Sequence, residues 1–191
     1  MDNIKKQQDD LDNKNIISLN EFDELLIFTD KFDKINILSN KIDEIFISNK
    51  SLVKYTSIDN INSFDVESQV IFNHIYEREF ERGNIEYKRS LESYYENEKT
   101  NKLIRQIYWR IYEGIVTIDK EYCYYIIGIE DSGTPSFLSK IELSNSLNFI
   151  SNCIEETELN YSYLFVKNIY LNYDYIIVKF WTNEYSLIDF F

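Results

Sequence analysis

Alanine is absent from all 191 residues, while proline occurs once, glycine four times, cysteine twice and histidine once. Asn, Ile, Lys and Tyr are abundant in their place. Codons for the depleted residues are rich in G and C, and those for the enriched ones in A and T, so the pattern points to an A/T-biased genome. Single Asn, Tyr or Ile residues therefore carry little functional weight by identity alone.

Each scarcity excludes a class of chemistry. Two cysteines, Cys123 and Cys153, make neither a disulfide framework nor a four-ligand zinc site, so both are expected as reduced core residues. The one histidine, His74, has Val70 and Arg78 at i−4 and i+4 and so lacks a helical metal partner. Lys and Arg number 20 against 33 Asp and Glu, a formal net charge of −13. Every phosphate contact needs a neutralising cation, so a broad nucleic-acid-binding surface is disfavoured and a solvated acidic surface expected. The longest apolar run, Tyr122–Ile129, is too short to cross a bilayer as a helix. MDNIKKQQDD lacks the apolar core of a signal peptide, which makes a reducing cytoplasm the expected location. No catalytic, cofactor-binding or metal-ligating residues are expected.

What is present is patterning. Residues 1–20 read as a flexible polar tail, and 21–83 as an N-terminal extension, mixed or helical, with a helix expected over Ser63–Glu81. Residues 84–191 read as an α/β domain. Ile85–Leu91 alternates like a half-buried strand, and Leu103, Ile107 and Ile111 recur at helical spacing after a candidate N-cap, Thr100. Gly114 suits the left-handed residue that ends that helix. Tyr122–Glu130 reads as a strand covered on both faces. Ser139 and Glu142 have capping-box spacing before a helix that puts Leu143, Leu147, Ile150 and Ile154 on one face. Tyr161–Leu171 and Asp174–Trp181 read as a hairpin turning at Asn172-Tyr173.

The fold class predicted is α/β, bordering on α+β, with order β-α-β-α-β-β. Helix crossovers favour neighbouring parallel strands, the last hairpin would add an antiparallel edge, and two helices would cover one face of a small mixed sheet. Residues 21–83 are the candidate cover for the other face.

GIEDSG (Gly128–Gly133) resembles a phosphate-binding turn, but Glu130 and Asp131 would repel a phosphate and the spacing fits no nucleotide fingerprint. A tight turn at Gly133 with an Asp-mediated bond is the better reading. Those adjacent carboxylates would point to opposite faces of a strand and make no acid/base pair. Trp109 and Trp181 are expected in the core. Lys99, Lys102, Arg105 and Arg110 could form a basic strip along the first helix of the domain.

The elements IEYKRSL (Ile85–Leu91), LIRQIYWRIYEG (Leu103–Gly114) and YYIIGIEDSG (Tyr124–Gly133), then the helix from Ser139 and the strand DYIIVKFW (Asp174–Trp181), carry a resemblance. In order they resemble the domain preceding the GTPase domain in the "GTP-binding protein one/two" family, relatives of elongation factor one-alpha. The resemblance implies a non-catalytic module acting in translation or messenger-RNA turnover by docking on a protein or ribosomal partner. The GTPase domain would begin after Phe191, and the sequence has no phosphate-loop Lys-Ser/Thr of its own. The I-G-x-x-D-x-G turn is also similar to that of Schlafen-type AlbA-like nucleic-acid-binding domains, which implies the alternative of binding through Lys99, Lys102, Arg105 and Arg110.

Overall fold

The computed structural model describes residues 19–48, 70–91 and 97–182. By contacts the chain divides into Met1–Lys34 and Ile35–Phe191. Of the first unit, what is described is the opening part of helix α1 (Leu19–Ser48). The second unit holds the rest of α1 and everything after it.

Along the second unit come β1 (Val70–Ile71), β2 (Ile85–Lys88), α2 (Asn97–Ile118), β3 (Tyr122–Ile127), α3 (Lys140–Ile154), β4 (Leu159–Asn168) and β5 (Tyr173–Thr182). The domain is α/β, and its mixed sheet has the spatial order β1-β4-β5-β3-β2. From β2 onward the chain runs strand, helix, strand, helix, strand, strand. β2 and β3 are parallel neighbours joined through α2, in the register Ile85↔Tyr124 to Lys88↔Ile127.

The hairpin is not an edge. β5 lies at the centre, paired antiparallel with β3 on one side and with β4 on the other. Its run Tyr175–Val178 is fully buried, and a strand apolar on both faces loses most by facing water at an edge. β3 and β4 are therefore not neighbours, although a helix joins them.

The two faces have separate cores. Leu103, Ile107 and Ile111 of α2 and Leu143, Leu147 and Ile150 of α3 pack on the face carrying Cys123, Tyr125 and Ile127. Leu147 is 1% exposed. The opposite face, with Tyr124, Ile126 and Ile177, is covered by Leu38, Ile42 and Phe46 of α1. Residues from the expected extension thus supply the second cover. Both cysteines are buried and free.

Several local expectations are corrected. The helix expected over Ser63–Glu81 is, from Val70 on, a two-residue strand pairing with β4 and then an irregular segment; 63–69 lie outside the described residues. The reason is tertiary: the His74 carbonyl accepts from Asn168 Nδ2 and the Glu79 amide donates to the Asp131 carbonyl, backbone groups that a helix would have paired internally. Strand β2 stops at Lys88 and is buried along Ile85–Tyr87, not half-buried to Leu91. Helix α2 starts before Thr100 and runs past Gly114 to Ile118, with Asp119 taking the left-handed conformation at φ 57°. Gly114 serves close approach: a Cβ there would lie 2.7 Å from the Lys120 carbonyl and 2.9 Å from that of Tyr122.

At α3, Ser139 Oγ accepts from the Glu142 amide (3.3 Å) while Glu142 Oε2 accepts from the Ser139 amide (2.7 Å), closing a capping box. β4 ends at Asn168, and the turn is Ile169–Asn172. Trp109 and Trp181 are half-buried, not fully enclosed in the core.

Candidate functional site

Of the expected basic strip, Arg110 is not at the surface. Lys102 and Arg105 are exposed on α2, and Lys99 lies in its first turn, where side chains are not described. Arg110 is only 3% exposed. Its Nε donates to Glu86 Oε2 at 2.5 Å and its Nη2 to Glu79 Oε1 at 2.6 Å, while Nη1 serves three backbone carbonyls. Glu86 Oε1 also accepts from Lys88 Nζ and Gln106 Nε2, each at 2.5 Å. A guanidinium offers five N–H donors in a rigid fork, and here the backbone of 79–83 wraps around it. Burial, reinforced by the neighbouring Glu86, pushes Glu79 up to about 7, against the pull of the Tyr87 amide and Arg110. Nearby, Glu113 holds Arg82 and the Gly83 amide. The group is a lock on the 79–83 segment, and its polar atoms are turned inward.

A second lock joins α1 to the sheet. Asp43 accepts from the Tyr122 and Tyr124 hydroxyls, the latter at 2.6 Å, and from Lys179 Nζ at 3.1 Å and Lys120 Nζ at 3.4 Å. Lys179 Nζ sits 3.5 Å from the centroid of the Tyr122 ring, a cation–π contact. Burial would raise Asp43, but its two phenol hydrogen bonds and Lys179 outweigh it and hold the carboxyl below its ordinary range. Burial depresses Lys179, with Lys120 adding to the effect and Asp43 opposing it. The opposite charges satisfy one another, which suits anchoring better than ligand capture.

The GIEDSG stretch is a turn. Gly128 and Gly133 have φ of 103° and 85°, and the Gly133 amide donates to the Glu130 carbonyl at 2.7 Å. The side-chain bond in it is Ser132 to Thr134, not one from Asp131. A Cβ at Gly133 would meet the Tyr76 and Glu77 carbonyls at 2.4 and 2.6 Å, so the turn presses on the 72–83 segment, not on an open anion site. His74 stacks on Phe72 and meets Tyr76 edge-on. Among the described residues no group of three His, Cys, Asp or Glu could hold a metal ion.

One exposed group among the described residues is apolar. At the end of the sheet where β4 turns into β5, Ile169, Tyr170 (75% exposed) and Leu171 form the hairpin tip. Phe137, 65% exposed, comes from the loop after β3, its ring 6.0 Å from that of Tyr173. Ile75 is exposed on the 72–83 segment, whose His74 carbonyl accepts from Asn168. Three loops thus present large apolar side chains at one end of the sheet.

This crown is held in shape. Buried Asn168 accepts from the Tyr170 and Leu171 amides at 3.1 Å, and Asn73 accepts from the Ile169 amide at 3.1 Å. Asn172 takes φ 50°, a conformation Asn tolerates. Phe137 takes φ 51°, which a bulky side chain rarely adopts, so the surrounding structure imposes it. Sequence reasoning missed these residues because Tyr161–Leu171 read as one strand. The available signal was the Asn168/Asn172 pair bracketing Ile-Tyr-Leu, since Asn side chains build such turns.

No helix among the described residues is long and apolar enough to cross a membrane. Comparison of the chain with protein-family models, curated proteins and solved structures finds no match.

Proposed function

We propose that this chain is a non-catalytic docking module that binds a protein or ribosome-associated partner in the cytoplasm. The role is the one implied by resemblance to the pre-GTPase domain of elongation-factor-like proteins, in translation or messenger-RNA turnover. The observation that carries docking is the crown of Phe137, Ile169, Tyr170 and Leu171, all exposed, with the last three pinned by Asn168 and Asn73. Exposed apolar side chains grouped on a rigid frame mark interaction surfaces, and a frame ordered in advance lowers the entropic cost of binding. The buried charges, by contrast, are consumed in holding the fold.

The test is position-specific crosslinking. A photoreactive phenylalanine analogue replaces Tyr170 in one protein and Tyr112, exposed on α2, in another. In extract from the source organism, residue 170 is expected to give one dominant adduct that residue 112 does not. That partner, purified, should bind the wild-type chain and not Tyr170→Ser. Adducts identical from both positions, or none from 170, would count against the crown as the docking surface.

A further inference from the structure

We infer that the 72–83 segment is a pH-operated strap: proton loss from Glu79 loosens one end of it, and Asn73, His74 and Asn168 carry the loosening to the hairpin tip. The inference concerns the shape of the tip and needs no occupant there, so it stands apart from the docking reading above.

The latch end is crowded with carboxylates. Arg110 is sealed in with Glu86, and Glu79 brings a second carboxylate to the same guanidinium. A third, Glu113, is buried against the Gly83 amide. The cations that balance the extra two reach toward water: Lys88 holds Glu86 from a half-buried position, and Arg82 on Glu113 is exposed. Water weakens the pull of such cations, so three ionised carboxylates outweigh one enclosed guanidinium. Tyr87 and Tyr125 face Glu79 from β2 and β3, and both stay protonated across neutral pH because burial raises them. Glu77, Arg78 and Asp131 lie exposed around the same end.

Glu79 is the carboxylate able to give way, being the least buried of the three. Protonated, it keeps acceptor capacity for the Tyr87 amide and for Arg110, so the latch holds; ionised, it gains by turning out to water. Its rise to about 7, from burial and then from Glu86, places that choice near neutral pH. His74 is the strap's other group that titrates nearby. Burial and then Lys41 of α1 hold it below its ordinary 6.5, against Glu77, so the two titrations separate.

The strap links this latch to the tip. The Glu79 amide donates to the Asp131 carbonyl, the Tyr76 and Glu77 carbonyls press on Gly133, and the Tyr76 hydroxyl lies 3.3 Å from that of Tyr175. At the far end the His74 carbonyl accepts from Asn168 Nδ2 and Asn73 Oδ1 from the Ile169 amide, each at 3.1 Å. Asn168 Oδ1 in turn accepts from the Tyr170 and Leu171 amides. One buried side chain is thus shared by strap and tip, and elements packed this closely shift together, not residue by residue.

Nuclear magnetic resonance of the isotope-labelled chain tests both ends. The side-chain carboxyl carbon of Glu79 is followed through a pH titration. Amide exchange in strap and tip is measured along the same series and divided, at each pH, by the rate of an unstructured chain. In wild type the carboxyl should titrate near 7. The protection of the strap amides should fall about tenfold between about pH 6 and 8, which is the linkage expected of one group raised from 4.5 to about 7. The Ile169, Tyr170 and Leu171 amides should lose protection with the same midpoint. In Glu79→Gln, whatever its starting protection, strap and tip should hardly change across that window. A Glu79 midpoint in the ordinary carboxylate range, or strap protection level through neutral pH, overturns the latch. A strap that loosens while the tip does not overturns the lever, and the inference with it. So does a tip that follows the His74 imidazole, or one that still responds in Glu79→Gln.

Discussion

Arg110 Nε lies 2.5 Å from Glu86 Oε2, and both side chains are all but sealed from water. An ion pair in that position rewards the fold only when every remaining donor is used. Here the guanidinium's other donors go to Glu79 and to three backbone carbonyls. The pair fixes β2 against α2, and it fixes the 79–83 segment that leads into β2.

Removing one partner strands the other. Arg110→Met should leave Glu86 and Glu79 together in a half-dry site and cost about 3–5 kcal/mol, the range for breaking a buried pair. Urea unfolding measures it. The double variant Arg110→Met/Glu86→Leu should recover part of that loss, because no uncompensated carboxylate remains at 86. A single-variant loss within about 0.5 kcal/mol, the size of a surface substitution, would show Arg110 to be solvated.

Glu79 gives this lock a pH signature. Its carboxyl is raised from 4.5 to about 7, chiefly by burial and then by Glu86. Between those two values the folded chain holds a proton that the unfolded chain has released. By linkage, this contribution is fully present below about 4.5 and is lost as pH rises through about 7. Wild type minus Glu79→Gln, unfolded in urea at a series of pH values, should therefore show stability falling with pH across that window. Parallel curves for the two proteins would refute the assignment.

Gly114 is a helix-interior glycine whose replacement should harm. In an open helix, Gly→Ala gains about 1 kcal/mol. Here the new Cβ would press on two backbone carbonyls and on Asn84 Cβ, all within 3 Å. Backbone atoms cannot swing aside, so Gly114→Ala should destabilise by about 1–3 kcal/mol, as overpacking does. A thermal midpoint at or above that of wild type would show that α2 does not approach Asn84 this closely.

The parts of the fold legible in the sequence are those governed by neighbours along the chain. The Ser139/Glu142 box and the stripe through Leu143, Leu147 and Ile150 are local patterns, and α3 follows them. The order of elements from β2 was also legible, because periodicity changes at each boundary. The position of β5 was not, since nothing local says which edge of β3 the hairpin will take. The 70–83 segment was misread for a related reason. Val70, Ile71 and Ile75 fall at helical spacing, but Asn168 and Asp131, far along the chain, claim the His74 carbonyl and the Glu79 amide that a helix would have paired internally. Of the candidate basic strip, spacing placed Arg110 away from the α2 core stripe, yet only the facing carboxylates of Glu79 and Glu86 explain why it is buried.

That burial bears on nucleic acid. Four cations along α2 could have met successive phosphates, but Arg110 is committed to two carboxylates, which leaves Lys102 and Arg105 as the cations of the strip described at the surface. Arg105 Nε already turns back to the Asn101 carbonyl at 3.4 Å. Each phosphate neutralised on single-stranded RNA contributes a slope of about −0.7 in log affinity against log salt, so two contacts predict a slope of only about −1.4. Against them stands a net charge of −13. A filter-binding titration with mixed-sequence RNA should therefore show nothing tighter than about 10 µM near physiological salt, within or below the range of non-specific binding. Lys102→Glu/Arg105→Glu should leave the isotherm nearly unchanged. Submicromolar binding that this double variant abolishes would sink the docking preference and promote the nucleic-acid reading, with α2 as its contact helix.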